Sequence, residues 1–180
     1  RLPDFHARRK DRRPLPAPLL STLLANFQGA DPRSQIITGT AGDGKTYHCR
    51  ELWMALGGDA AVWNEGHKIQ TLALGSRSLV IVKDLSELRD EESADLIAAV
   101  ARDVADPAAD TVYLLAANHG QLLEKLKSAP QTPEVQRLSS VVEDLLVTGV
   151  STESDIRLLL DDLSRAPAAD CAMAASTERV

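Results

Sequence analysis

Apolar residues along this chain fall into two kinds of run, and the two kinds alternate. Short unbroken runs read as strands covered on both faces: "SQIIT" at 34–38, "SLVIVKDL" with Leu79, Val80, Ile81 and Val82 in succession, and "TVYLLAANHG", which ends in polar Asn118. Between them, apolar residues recur at helical spacing. "KTYHCRELWMAL" puts Leu52, Ala55 and Leu56 on one side of a helix, and "SADLIAAVARDVA" does the same with Leu96, Ile97, Val100 and Val104. "PLLSTLLANF" predicts a short amphipathic helix leading to a turn at "QGADPRS", and "QLLEKLK" and "PEVQRLSSVVEDLLVTG" predict two later helices. After the stop "GGD", the stretch "AAVWN" is expected as the second strand, and "EGHKIQTLALGSR" as a connection with one helical turn. "DIRLLLDDLSR" fits a fifth strand but is also open to a helix; its shortness, and the helix expected in "APAADCAMAAS" after it, favour the strand. No internal repeat is visible.

Strands alternating with helices imply an α/β fold, a three-layer αβα sandwich around a mostly parallel five-stranded sheet. Ligands of such sheets bind at the carboxyl ends of the strands. Lys45, Asp84 and Asn118 all lie at or just beyond such ends, so three polar signals converge on one edge.

The first of these belongs to "GTAGDGKT", residues 39–46. Gly39, Gly44, Lys45 and Thr46 satisfy the Walker A pattern Gly-x-x-x-x-Gly-Lys-[Ser/Thr], a loop whose amides cradle a phosphate chain. Gly39 and Gly44 let the main chain wrap closely, and Gly42 is a further permissive point. Lys45 reaches the terminal phosphates, Thr46 offers its hydroxyl to Mg²⁺, and the following helix adds its positive end. Thr40, Ala41, Asp43 and Tyr47 complete the expected nucleotide-binding set. An ordinary strand-to-helix turn is the plain alternative.

A magnesium ion needs an acidic anchor beside the threonine, and Asp84 is the natural candidate; a turn-capping aspartate is the alternative. Hydrolysis also needs a group that orients water. Glu87 is the nearest acid downstream, with Glu91 and Glu92 further along, and Asn118 could hold the water or sense the terminal phosphate. Asn118 also reads simply as a loop start.

On "GTAGDGKT", "LVIVKD" and "YLLAAN", the chain resembles the additional-strand class of P-loop NTPases, most nearly the AAA+ and STAND-type ATPases, across roughly residues 15–165. The resemblance implies a P-loop NTPase fold with strand order 5-1-4-3-2. It also implies that Lys45 binds phosphate, Asp84 supports magnesium and Asn118 acts as sensor, with ATP and Mg²⁺ as the cofactors. The family usually places Asp and Glu adjacent, the Glu acting as base. Here Leu85 and Ser86 follow Asp84 and the acid is Glu87, three places on. A STAND-like register would put Lys83 where the magnesium aspartate belongs. No arginine finger stands out: Arg137, Arg157 and Arg165 are candidates by elimination, each with a plainer reading as a surface charge. The loop and "AANHGQL" are similar to ATPase modules of large bacterial defence and restriction proteins.

Composition narrows the rest. The chain has 180 residues, 44% hydrophobic and only 3% aromatic, so its core rests on Leu, Val, Ile and Ala. Two cysteines give neither a disulfide framework nor a zinc pattern and suit a reducing, cytoplasmic setting. No apolar run approaches a membrane span and no secretory signal is visible. His48, His67 and His119 lack metal-ligand spacing, Cys49 reads as core, and Trp53 and Trp63 as packing under the sheet. Residues 1–14 read as a basic, proline-containing arm with Arg8, Arg9, Lys10, Arg12 and Arg13, and 15–180 as the core domain. Against a net charge of −6, that arm suits a linker or an acidic partner surface better than nucleic acid, which stays open. Because the chain starts on Arg1 and ends on "STERV", a piece of a longer multidomain protein is expected.

The expected function is an ATP-binding and ATP-hydrolysing module that drives or gates neighbouring domains or subunits. The alternatives are a slowly hydrolysing, nucleotide-gated oligomerisation switch and a small-molecule kinase. The absence of an Asn-Lys-x-Asp element tilts base choice from GTP to ATP.

Overall fold

The computed structural model describes residues 17–165. The basic arm and the helix expected in "APAADCAMAAS" lie outside the described residues. Five strands form one sheet: Ser34–Thr38 (β1), Ile69–Leu74 (β2), Arg77–Val82 (β3), Thr111–Ala117 (β4) and Leu158–Asp162 (β5). The helices are Leu20–Phe27 (α1), Lys45–Ala55 (α2), Ala60–Trp63 (α3), Asp90–Val104 (α4), His119–Ser128 (α5) and Pro133–Thr148 (α6), with a 3₁₀ turn at Leu85–Glu87. The order across the sheet is β2-β3-β4-β1-β5; β1 runs parallel to β4 and β5, and β3 parallel to β4.

The edge strand differs from expectation. "AAVWN" is not a strand but the short helix α3, because Asp59 caps it: the carboxylate accepts the Ala61 amide at 2.7 Å. The second strand lies instead inside the stretch expected as a connection, and it runs antiparallel to β3. Read from the β5 edge the strands follow as 5-1-4-3-2, but the second place is held by this hairpin arm and not by the expected strand. In "IQTLAL" Gln70 is buried between exposed Ile69 and Thr71, the period-two pattern of an edge strand. Leu74 pairs with Arg77 across the two-residue loop Gly75–Ser76, and Gly75, at φ +58°, supplies the left-handed backbone such a turn needs.

The strands alternate between two cores. Ile36, Tyr113 and Leu115 join Leu96, Val100, Leu122, Leu126, Leu138 and Val142 on the α4–α6 face. Ile37, Val112 and Leu114 join Leu23, Phe27, Leu52, Trp53 and Trp63 on the α1–α3 face. Trp53 and Trp63 pack together there, ring centroids 5.8 Å apart. Every residue of β1 is buried, as a strand with neighbours on both sides and helices on both faces must be. The expected fifth strand forms: β5 covers the open side of β1 in register Ser34↔Leu158 to Thr38↔Asp162. Among the described residues no helix is long and apolar enough to cross a membrane.

Register levels the carboxyl ends of the central strands. Thr38 lies opposite Ala117 of β4 on one side and Asp162 of β5 on the other. The loop after β1, the start of α5 and the residues after β5 therefore meet at one edge.

Candidate functional site

The loop from Gly39 to Gly44 joins β1 to α2. Gly42 and Gly44 sit at φ +87° and +88°, a region that side chains with a Cβ avoid. At Gly39 a Cβ would fall 2.8 Å from Asp43 Oδ2 and 3.3 Å from Leu163 Cβ, so a side chain there would push the Asp43 carboxylate out of its place on the loop. The Lys45 ammonium folds back over the loop, donating to the Gly39 carbonyl at 3.2 Å and the Thr40 carbonyl at 2.8 Å. The Asp43 carboxylate accepts the Thr40 amide at 2.6 Å and its hydroxyl at 3.0 Å. Gly44 is the N-cap of α2 and brings no capping side chain. The opening amides of a helix have no carbonyl partner within it, and with the positive end of the helix dipole they favour an anion. Ala41 and Gly42 are exposed at the loop tip. Tyr47 is half-buried, edge-on to His48 with centroids 6.4 Å apart.

His48 supports the loop from behind. Its ring is 1% exposed, with Nδ1 2.8 Å from the Gly44 carbonyl and Nε2 accepting the Leu19 amide at 3.3 Å. An acceptor at Nε2 and a carbonyl at Nδ1 define the Nδ1–H tautomer. This buried histidine ties the start of α1 to the loop.

The end of β3 approaches the loop at Thr46, whose hydroxyl lies 3.4 Å from the Lys83 carbonyl, the residue before Asp84. Asp84 Oδ1 accepts the Ser86 amide at 3.0 Å and hydroxyl at 2.7 Å, capping the 3₁₀ turn. The capping alternative is thus in use by one carboxylate oxygen, in the residue that follows the carbonyl met by Thr46. Glu87 is exposed in that turn, with no hydrogen bond to the loop among the described residues. The Lys83 side chain turns to the α3 side: its ammonium donates to the Trp63 carbonyl at 2.9 Å and lies 4.0 Å over the Trp63 ring. Burial there lowers its pKa, against the charges of Cys49 and Glu87.

Beyond β4, Asn118 caps α5, its Oδ1 accepting the Gln121 amide at 2.7 Å. His119 Nε2 lies 3.1 Å from the Thr38 hydroxyl and 3.3 Å from Asp162 Oδ2. The Asp162 side chain is 9% exposed and also accepts the Ser164 amide at 3.0 Å and hydroxyl at 2.6 Å. Burial alone would raise its pKa; the Ser164 hydrogen bonds and the charges of His119 and Arg165 outweigh it and hold the carboxyl below its ordinary value. A cavity of about 350 Å³ opens here, lined by Gly39, Thr40, Ala41, Asn118, His119, Gly120 and Ser164.

Lys45, Thr46 and Asn118 thus gather around the loop, whereas Glu87 makes no hydrogen bond to it among the described residues. Among the described residues no three His, Cys, Asp or Glu side chains form a metal-holding group; an ion held by one hydroxyl, one carboxylate and phosphate oxygens needs none. His119 and Asp162 are the site residues that sequence reasoning missed. No protein-family model matches the chain, and no curated protein matches it.

Proposed function

We propose that this chain is an ATP-binding, ATP-hydrolysing P-loop module of the additional-strand, AAA+/STAND-like class that drives or gates neighbouring domains or subunits in the cytoplasm. One observation carries the reading: a loop with two left-handed glycines opens α2, and the Lys45 ammonium folds over that loop. In this reading the loop amides and Lys45 hold the phosphates, exchanging the Lys45 contacts with Gly39 and Thr40 for phosphate oxygens. Thr46 and the uncommitted oxygen of Asp84 hold Mg²⁺. The ion, when bound, neutralises charge on the transferring phosphoryl group. Asn118 serves as sensor from the end of β4.

The slow-switch reading is favoured by a separate observation. Asp84 spends one oxygen on Ser86, and Glu87 makes no hydrogen bond to the loop among the described residues, so the acidic half of the site is poorly prepared to activate water. The deciding experiment titrates ATP and GTP, with and without Mg²⁺, into the wild type and Lys45→Ala, and follows phosphate release. Mg²⁺-dependent ATP binding that Lys45→Ala weakens by at least about tenfold supports the site. Equal binding by the variant refutes it. Binding with nucleotide-dependent association but negligible phosphate release selects the switch.

A further inference from the structure

His119 occupies a position that capping and packing leave unexplained. Asn118 already caps α5, and the His119 side chain is 45% exposed, so the ring is not core. Yet one end of the ring is held. Register brings Thr38, Ala117 and Asp162 level across three adjacent strands, so a side chain just past β4 meets the β1 hydroxyl and the β5 carboxylate together. Nε2 lies 3.1 Å from the first and 3.3 Å from the second. Asp162 is itself fixed: Ser164 takes its Oδ1, and its Oδ2 faces both the ring and, at 3.6 Å, Arg165 Nε. A carboxylate accepts and cannot donate, so the neutral ring carries its proton on Nε2. Nδ1 is then a bare acceptor. It has no partner among the described residues, and His119 lines the cavity of about 350 Å³ that Gly39, Thr40 and Ala41 also line. An imidazole oriented by a carboxylate at one nitrogen and free at the other is built as a general base. Glu87, by contrast, is exposed and makes no hydrogen bond to the loop among the described residues.

We propose that His119, in its neutral form and aimed by Asp162, is the general base that takes a proton from the water attacking the terminal phosphate of a bound nucleoside triphosphate. This rests on the nucleotide reading given above, and it gives His119 the work that the sequence assigned to Glu87. In the step, the water oxygen bonds to the terminal phosphorus and one water proton passes to Nδ1. The bridging P–O bond breaks, and its electron pair leaves with the diphosphate. The imidazolium, stabilised meanwhile by the Asp162 carboxylate, then returns its proton to solvent. Asp162 is a positioning residue: it fixes the tautomer and the ring and does not meet the water. A water takes about 30 Å³, so the cavity has room for one beside a phosphate.

The test measures Mg²⁺·ATP binding and, separately, phosphate release at saturating nucleotide. It uses the full chain as wild type, Lys45→Ala, His119→Ala, His119→Gln and Asp162→Asn, each checked by a thermal melt. Both His119 variants should bind within about threefold of the wild type and release phosphate at least about 100-fold more slowly, the scale of one general base. From pH 8 to pH 5 the wild-type rate should fall, because a protonated Nδ1 cannot accept, while the residual rate of His119→Gln stays flatter. The charged groups that face the ring and bear on that fall are Asp162 and Arg165 beside it and Lys45 over the loop. Asp162→Asn should keep binding, lower the rate and move the acid limb to lower pH, since the ring loses the charge that favours its protonation; a merely structural role would not move that limb. Phosphate release within about threefold of the wild type in the His119 variants, a defect of theirs confined to binding, or a wild type that binds ATP and releases no phosphate overturns the base while leaving the nucleotide site standing. A wild type that binds no nucleotide, or binds it as well with Lys45→Ala, overturns both. Should His119→Ala fail to fold, His119→Gln is read by the same criteria.

Discussion

If the loop after β1 holds phosphate as proposed, its own carboxylate makes an unusual demand, and Asp43→Asn isolates it. Asp43 Oδ2 accepts the Thr40 amide at 2.6 Å and hydroxyl at 3.0 Å, so the carboxylate is a built-in anion on one of the loop's own N–H groups. An asparagine keeps an acceptor in the same place and removes the charge. The cost to the loop is the difference between a charged and a neutral hydrogen bond, about 1 kcal/mol. The gain is relief of repulsion. Taking about 8 Å as an assumed separation, one unit charge against another is worth about 0.5 kcal/mol at the dielectric of water and about 2 kcal/mol at the effective value near a protein surface. Per unit of phosphate charge, that is about twofold to thirtyfold in affinity. Asp43→Asn should therefore bind Mg²⁺·ATP more tightly than the wild type at low salt. The gain should shrink as ionic strength rises past physiological, where the screening length is about 8 Å. Isothermal titration at two salt concentrations measures both. Weaker binding by the variant would refute the reasoning, because it would mean that the carboxylate matters as a brace for the loop and not as a competing anion.

Three further outcomes follow from the packing. Gly58→Ala would drive a methyl to 2.3 Å from the Trp53 ring, whose Nε1 donates to the Asp59 carbonyl at 2.9 Å, and should lower the Tm by about 2–10 °C with a change in tryptophan fluorescence; an unchanged melt contradicts this. Asp162 and Asp31, the latter through its Arg157 hydrogen bonds, both titrate below their unfolded value of 3.8, so their stabilisation is present above that pH and lost as pH falls through the folded values. The Tm should be flat from about pH 8 to 5 and fall below about pH 4, less steeply in Asp162→Asn; a Tm that rises on acidification contradicts the sign. Cys49 is fully buried and burial pushes its thiol up to about 12, so in a Cys171→Ser background it should resist a thiol reagent at pH 8 until denaturant is added; rapid labelling of the native protein contradicts its placement.

The expected strands formed at β1, wholly buried, at β4, nearly so, at β3, buried mainly towards its carboxyl end, and at the edge strand β5. β1, β3 and β4 announce themselves because a strand flanked and covered on both sides has little room for polar residues. β2 escaped because it lies at the edge, where alternation is diluted, and because "AAVWN" imitates a strand until the cap at Asp59 is weighed. Lys45, Thr46 and the glycines were legible because their spacing is local to one loop. Asp84 and Asn118 were placed correctly at strand ends, but their capping bonds depend on the turn that follows each. The His119–Asp162 pair could not be read, since it exists only through the register of β1 with both neighbours. His48 was closer to reach: it stands one helical turn after Gly44, where a ring nitrogen meets the carbonyl of the fourth residue back.

That single imidazole also adds a hydrogen-bonded link between two helices that already share one core. The Leu19 amide hangs from one nitrogen and the pivot of the glycine arch from the other. A pull on the polypeptide leading into α1 reaches Gly44 across one ring, without deforming a strand, and a rearrangement of the arch travels back by the same route. A change at the arch should therefore be felt at Leu19, the residue that opens α1.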